Sequence, residues 1–141
     1  MNKKGFSFDI DIPPVAKGRP RFSNAGSYVK TYTPQKTKDH EELVGILTKQ
    51  SWRKDPIKGP VALTLTFYRP IPKSWSKRRK LAAENGEERP VTKPDLDNYI
   101  KSCIDGMNGI LFKDDSQIVC IHAHKRYSFE PRISVTIEYH A

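Results

Sequence analysis

Residues 96–128 read LDNYIKSCIDGMNGILFKDDSQIVCIHAHKRYS, and the apolar period changes inside this stretch. Leu96, Ile100, Cys103 and Met107 fall at i, i+4, i+7 and i+11, one stripe of a helix lying on a core, and Asn108-Gly109 supply its stop. From Asp115 onward, DSQIVCIHAHKRYS reads as a strand. A helix followed closely by a strand implies a sheet with helices laid on it, the strand returning along the helix that precedes it.

The rest of the chain supplies that sheet. Downstream, PRISVTIEYH alternates Ile133, Val135, Ile137 and Tyr139, a further strand beyond a turn at Tyr127 to Pro131. Upstream, after a break at Lys58-Gly59-Pro60, VALTLTFY places Val61, Leu63, Leu65 and Phe67 inward and Thr64, Thr66 and Tyr68 outward. FSFDIDI alternates Phe6, Phe8, Ile10 and Ile12 and ends at Pro13-Pro14. Thr33 as N-cap and Pro34 at the first helical position open a helix to about Trp52, with His40, Leu43, Val44 and Leu47 on one face. SWSKRRKLAAENG is a short, very basic helix between a Ser cap and Gly86. Residues 15–33 mix Gly, Pro, Ser and Asn with basic side chains, as an extended loop or irregular hairpin does. The order β, α, β, α, α, β, β predicts an α/β (α+β) fold: a single small domain over residues 1–141, with a mixed sheet of about four strands and two to three helices packed on it.

Charge narrows the partners. Lys and Arg number 25 against 16 Asp and Glu, a net charge of +9, which favours a polyanion, nucleic acid first and an anionic membrane second. No apolar run approaches the roughly 20 residues of a spanning helix, and MNKKGFSFDIDIPP has no signal-like core, so a cytoplasmic protein acting away from membranes is expected. Cys103 and Cys120 lack metal-ligand spacing and read as buried small apolar residues. Two clusters suit phosphate tracking on DNA: Lys17, Arg19 and Arg21, and Lys73, Lys77, Arg78, Arg79 and Lys80. Trp75, beside the second, either stacks on a base or anchors the segment to the core.

Against this background stands KPDLDN at 93–98, two acids at the start of a helix. The plain account is an N-cap, since free N–H groups and the helix dipole favour carboxylates there. Asp97, Lys101 and Asp105, four residues apart in turn, are then a pair of surface salt bridges, and Asp114-Asp115 a polar turn. The chemical account needs the acids to converge. A tight loop leaves Asp114 and Asp115 at the far end of the helix, whereas an extended connection over 108–114 would bring them back to Asp95 and Asp97. Converged carboxylates raise one another's pKa and require a divalent cation, Mg²⁺ or Mn²⁺, of the kind that cleaves phosphodiesters.

KPDLDNYIKSCIDGMNGILFKDDSQIV resembles the RusA family of Holliday junction resolvases, common in prophages and phages. The matching features are the Asp-Leu-Asp-Asn unit, the Lys four positions after its second Asp, an Asp four further on, and the Asp-Asp-x-Gln-Ile strand start. Lys17 to Arg21, Thr31 to Glu41, Trp75 to Lys80, and a C-terminal hairpin from Lys125 to Arg132 extend the likeness over nearly the whole chain. The resemblance implies a homodimeric endonuclease, dependent on Mg²⁺ (or Mn²⁺), that nicks four-way DNA junctions symmetrically on two opposing strands, so that its expected partner is branched DNA, four-way junctions above all. It implies Asp95, Asp97 and Asp115 as catalytic and metal-binding acids, Asp114 as a further metal ligand, Lys101 as a catalytic lysine, and Asp105 as a recurrent acid. The alternative is a catalytically silent nucleic-acid-binding module, whose acids could be removed without effect on metal binding or DNA processing.

Overall fold

The structure, a computed structural model, describes residues 2–18, 21–25, 28–32 and 34–140, with backbone alone at 21–25 and 28–32. In chain order its elements are β1 (Lys3–Ile10), β2 (Arg21–Ala25), β3 (Tyr28–Tyr32), α1 (Gln35–Ser51), β4 (Val61–Pro70), α2 (Lys77–Glu84), α3 (Leu96–Met107), β5 (Ile118–Ser128) and β6 (Arg132–His140). A 3₁₀ turn at Asp115–Gln117 leads into β5. β2 and β3 pair antiparallel in a ribbon of their own, which resolves the loop-or-hairpin alternative for the described part of 15–33.

The strand with the clearest alternation lies inside the main sheet, whose order is β1-β6-β4-β5. Val61, Leu63, Leu65 and Phe67 of β4 are buried as predicted, level with Tyr139, Ile137, Val135 and Ile133 of antiparallel β6. The C-terminal hairpin expected from the resemblance does not form, because β4 lies between β5 and β6. The cause is the helical connection: β4 reaches β5 through α2 and α3, and a strand–helix–strand crossover places the second strand parallel beside the first. β6 therefore takes the other flank of β4.

Helices α1 and α3 cover the inward face, contributing Val44, Tyr99, Cys103, Ile104 and Met107 to the same core as the strands. The outer face carries Ser7, Thr64, Thr136, His122 and His124, with Ser7 bonded to Thr136 at 2.8 Å and Ser134 donating to Asp9 at 2.7 Å. Pro34 occupies the N-cap position of α1 rather than its first turn, and Thr33 lies outside the described residues. His40 and Val44 are buried, but Leu43 is 47% exposed, because the contact face runs through Thr37, Gly45 and Thr48 instead. At the C-terminal end of α1, the ring N–H of Trp52 donates to Asp55 O at 3.0 Å while its edge meets Phe6 and Tyr139 at 5.1 and 5.7 Å.

The two helices touch through glycine. A Cβ on Gly106 would stand 2.7 Å from Val44 Cβ and 3.0 Å from Glu41 O, so only hydrogen permits the approach. Gly106→Ala is expected to cost about 1–3 kcal/mol through overpacking, read as a melting-temperature drop of several degrees by circular dichroism; an unchanged melt would contradict so close a crossing. The cysteines differ from their shared expectation. Cys103 is buried, which pushes its thiol up to about 12, whereas Cys120 is exposed at the bulged start of β5. A thiol reagent should therefore titrate one cysteine in the native protein and two after denaturation.

Candidate active site

Asp95 is the N-cap of α3 and Asp97 lies in its first turn. The capping account does not absorb them, because the Asp95 side chain makes no cap hydrogen bond. Ser76, by contrast, caps α2 in the usual way, accepting from Arg79 N at 3.2 Å. Both Asp95 and Asp97 are exposed, and neither joins an ion pair among the described residues. They remain free, at a positive helix end, to meet a cation from solution.

The backbone beneath them is tied to the sheet. Arg69, near the end of β4, donates to Thr92 O at 3.1 Å and to Thr92 Oγ1 at 3.3 Å. Lys125 of β5 donates to Thr92 O and to Pro94 O, both at 3.2 Å. Tyr99 stacks on Phe67 at 5.4 Å, and Lys17 N donates to Asn98 O at 2.9 Å. The start of α3 thus lies at the C-terminal ends of the parallel pair β4 and β5.

Its other end turns tightly. Gly109, at φ +81°, donates to Phe112 O, while Ile110 and Leu111 fold back onto Met107 O. This turn docks on the segment before β4: Ile57 N donates to Leu111 O at 3.0 Å, and Lys113 N to Ile57 O at 3.2 Å. Gln117 adds bonds to Ile57 O and Gly59 O at 2.8 and 2.9 Å. Asp114 and Asp115 follow at this end, separated from Asp95 and Asp97 by the length of α3, about 18 Å at ~1.5 Å per residue. The tight-loop alternative is therefore realised, and one chain does not bring Asp95, Asp97, Asp114 and Asp115 together. Among the described residues no three His, Cys, Asp or Glu side chains gather as a cation site.

The two aspartates of that second pair differ. Asp114 caps the 3₁₀ turn in a reciprocal box, accepting from Ser116 N at 3.0 Å while its own N–H donates to Gln117 Oε1 at 2.7 Å. Hydrogen bonds from Ser116, joined by the Asp115 backbone, hold its carboxyl below the usual range. Asp115 makes no side-chain hydrogen bond among the described residues and is partly exposed.

Lys101 pairs with Asp105 at 3.1 Å, and Asp105 also meets Lys17 at 3.1 Å, which in turn meets Glu41 at 2.6 Å. Burial disfavours the Lys17 ammonium, but its bonds to Glu41 and Asp105 outweigh this and raise its pKa. In this fold Lys17 closes a bridge between α1 and α3, through Glu41 on one side and Asp105 on the other. Arg19 and the Arg21 side chain lie outside the described residues. In the second cluster, Arg79 is held by Glu88 through bonds of 2.8 to 3.1 Å and lies over the Trp75 ring at 3.5 Å, and Trp75 packs edge-on against Tyr127 at 5.1 Å. Trp75 thus packs on the fold, and Arg79, though exposed, is paired with Glu88. Lys73, Lys77, Arg78 and Lys80 have no ion-pair partner among the described residues.

Two residues at the site escaped the sequence reading, Arg69 and the clamping role of Lys125. The signal for Lys125 was present: it stands level with Phe67, on the inward side of β5 with Ile121 and Ala123, where alternation calls for an apolar residue.

Comparison with known proteins adds two findings. The family model described as Endodeoxyribonuclease RusA matches residues 11–138. A Bacillus subtilis (strain 168) protein with the name Uncharacterized protein YqaN is 44% identical over 132 residues, covering 92% of this chain and 93% of its own length.

Proposed function

The chain belongs to the RusA endodeoxyribonuclease family, and on that premise we propose that it resolves four-way DNA junctions by paired symmetric nicks, as a homodimer using Mg²⁺ or Mn²⁺. The observation that carries this reading is the pair of uncommitted carboxylates, Asp95 and Asp97, held on the strand ends of an otherwise basic protein. Their hard oxygens suit such a cation, which when bound would activate water and offset charge on the phosphodiester. Two carboxylates make half a site, and Asp115 is the remaining free acid of the motif. Asp114 serves chiefly as a structural cap in this reading, because one of its carboxylate oxygens already accepts from Ser116 N.

The shape of the sheet supports a second copy as the source of the missing half. β5 is an edge strand, and its first half is open, with Val119 70% and Ile121 39% exposed. Two β5 edges laid antiparallel around an axis near Cys120 and Ile121 carry Asp115 of each copy to the level of Lys125, where the other copy holds Asp95 and Asp97. A two-fold axis then yields two equivalent sites, one for each opposing strand of a junction. Lys101, one turn beyond Asp97 and steadied by Asp105, stands where it can bind a phosphate oxygen.

Substrate attraction comes from α2, which lies at the same end of the sheet through the bond from Phe129 N to Glu84 and the contact of Trp75 with Tyr127. Its first turn carries Lys77 and Arg78 where the helix dipole favours anions, an arrangement relieved when DNA phosphates arrive. Among the described residues no helix is long and apolar enough to cross a membrane, and we place the protein with its DNA in the cytoplasm.

The test compares a labelled four-way junction with linear duplex in Mg²⁺ or Mn²⁺. Native protein should nick the junction selectively, and Asp97→Asn should lose at least about 100-fold in rate while still binding it. Tight binding without cleavage by the native chain would leave the silent binding module. Asp115→Asn should match Asp97→Asn, whereas Asp114→Asn should retain most activity. Mixing the two dead variants distinguishes the site's origin: in a shared site the mixed dimer holds one intact centre, and nicking returns. A site within one chain stays dead in every mixture.

A further inference from the structure

We infer that Lys125, seconded by Arg69, is the positioning residue that fixes the backbone leading into the metal-binding carboxylates of α3; this rests on the nuclease reading above. The loop before Asp95, residues 89–94, contains two prolines and makes no backbone hydrogen bond outside itself among the described residues. Among the described residues its side-chain bonds come from two cations, both rooted in core strands: Arg69 onto Thr92, and Lys125 onto Thr92 and Pro94. The carbonyl of Thr92 accepts from both, using its two lone pairs.

Pro94 is followed directly by Asp95, which lacks a cap bond of its own, so the Lys125–Pro94 contact is the last fixed point before the first carboxylate. A divalent ion of the Mg²⁺ kind requires near-octahedral placement of its oxygens, with little tolerance for drift of the ligand backbone. Lys125 meets that need from a rigid strand and at a buried-face position. A neutral residue of similar length would fill the space without holding the carbonyls. β5 also begins just after Asp115, so one strand carries the clamp for one acid pair and the remaining acid at its other end. Displacement of the loop would thus change the metal requirement before it changed DNA binding, which depends on the cations of α2.

The experiment measures Mn²⁺ binding by electron paramagnetic resonance, and junction nicking against metal concentration, on the full chain and its Lys125→Met and Lys125→Arg variants. The expected result is an approximately tenfold rise in the half-saturating metal concentration for Lys125→Met in both readouts, with junction affinity within about twofold, and recovery in Lys125→Arg. A merely structural lysine would lower the melting temperature in Lys125→Met without moving the metal curve of the folded protein, and that outcome overturns the inference. Should Lys125→Met not fold, Arg69→Gln leaves both Lys125 contacts in place and is read the same way, with a smaller rise expected and an unmoved curve again overturning the inference. Native protein that binds metal and nicks, beside unaltered variants, sinks the inference alone. Native protein that neither binds Mn²⁺ nor nicks removes the nuclease reading and this inference with it.

Discussion

The bonds between Ile57 and the turn at Leu111 to Lys113 decide where everything else at the site can be. They pin the C-terminal end of α3 beside the start of β4, with Leu111 and Phe112 fully buried beneath. Once that end is fixed, α3 must run back against β4, and β5 must return along it. The first acid pair then falls at one end of the sheet and the second at the other. No side-chain rotamer can bridge a gap of about 18 Å, so the separation belongs to the backbone and not to local flexibility.

Electrostatics follow the same division. Lys17 and Arg79 are neutralised within the fold, by Glu41 with Asp105 and by Glu88. The helix that carries the unneutralised cations, α2, and the start of α3 are each tied to the C-terminal ends of β4 and β5. A net charge of +9 therefore overstates the uniformity of the surface. Positive and negative features share one end of the molecule, and the open outer face of the sheet is lined chiefly by hydroxyl and imidazole side chains.

Much of the fold was legible because it depends on local periods. The 3.6-residue stripe of Leu96 to Met107 and the alternation of Val61 to Phe67 identified their elements and inward faces correctly. Strand order was not legible: Ile133 to Tyr139 would alternate identically beside β5 or between β1 and β4, and the helical crossover chose the latter. Similarly, Leu43 fits the apolar stripe of α1 by sequence, but contact through Gly45 and Gly106 rotates the buried face away from it. At the site, the pattern of acids named the residues while leaving their convergence open, because turn compactness at 108–114 depends on docking to Ile57, some fifty residues earlier. The distinct roles of Asp114 and Asp115 depend on a reciprocal bond to Gln117 that adjacency in sequence does not express.

The placement of the two tryptophans has an optical consequence. Trp52 is 5% exposed, set among Phe6 and Tyr139 where β1 and β6 meet the end of α1. Trp75 lies under a guanidinium, against Tyr127, beside the basic helix. Their emission thus comes from two separate districts, one recording the integrity of the core and the other the state of the cationic end. The molecule carries an internal reference and an internal reporter, and a change confined to Trp75 fluorescence distinguishes an event at that end from loosening of the whole.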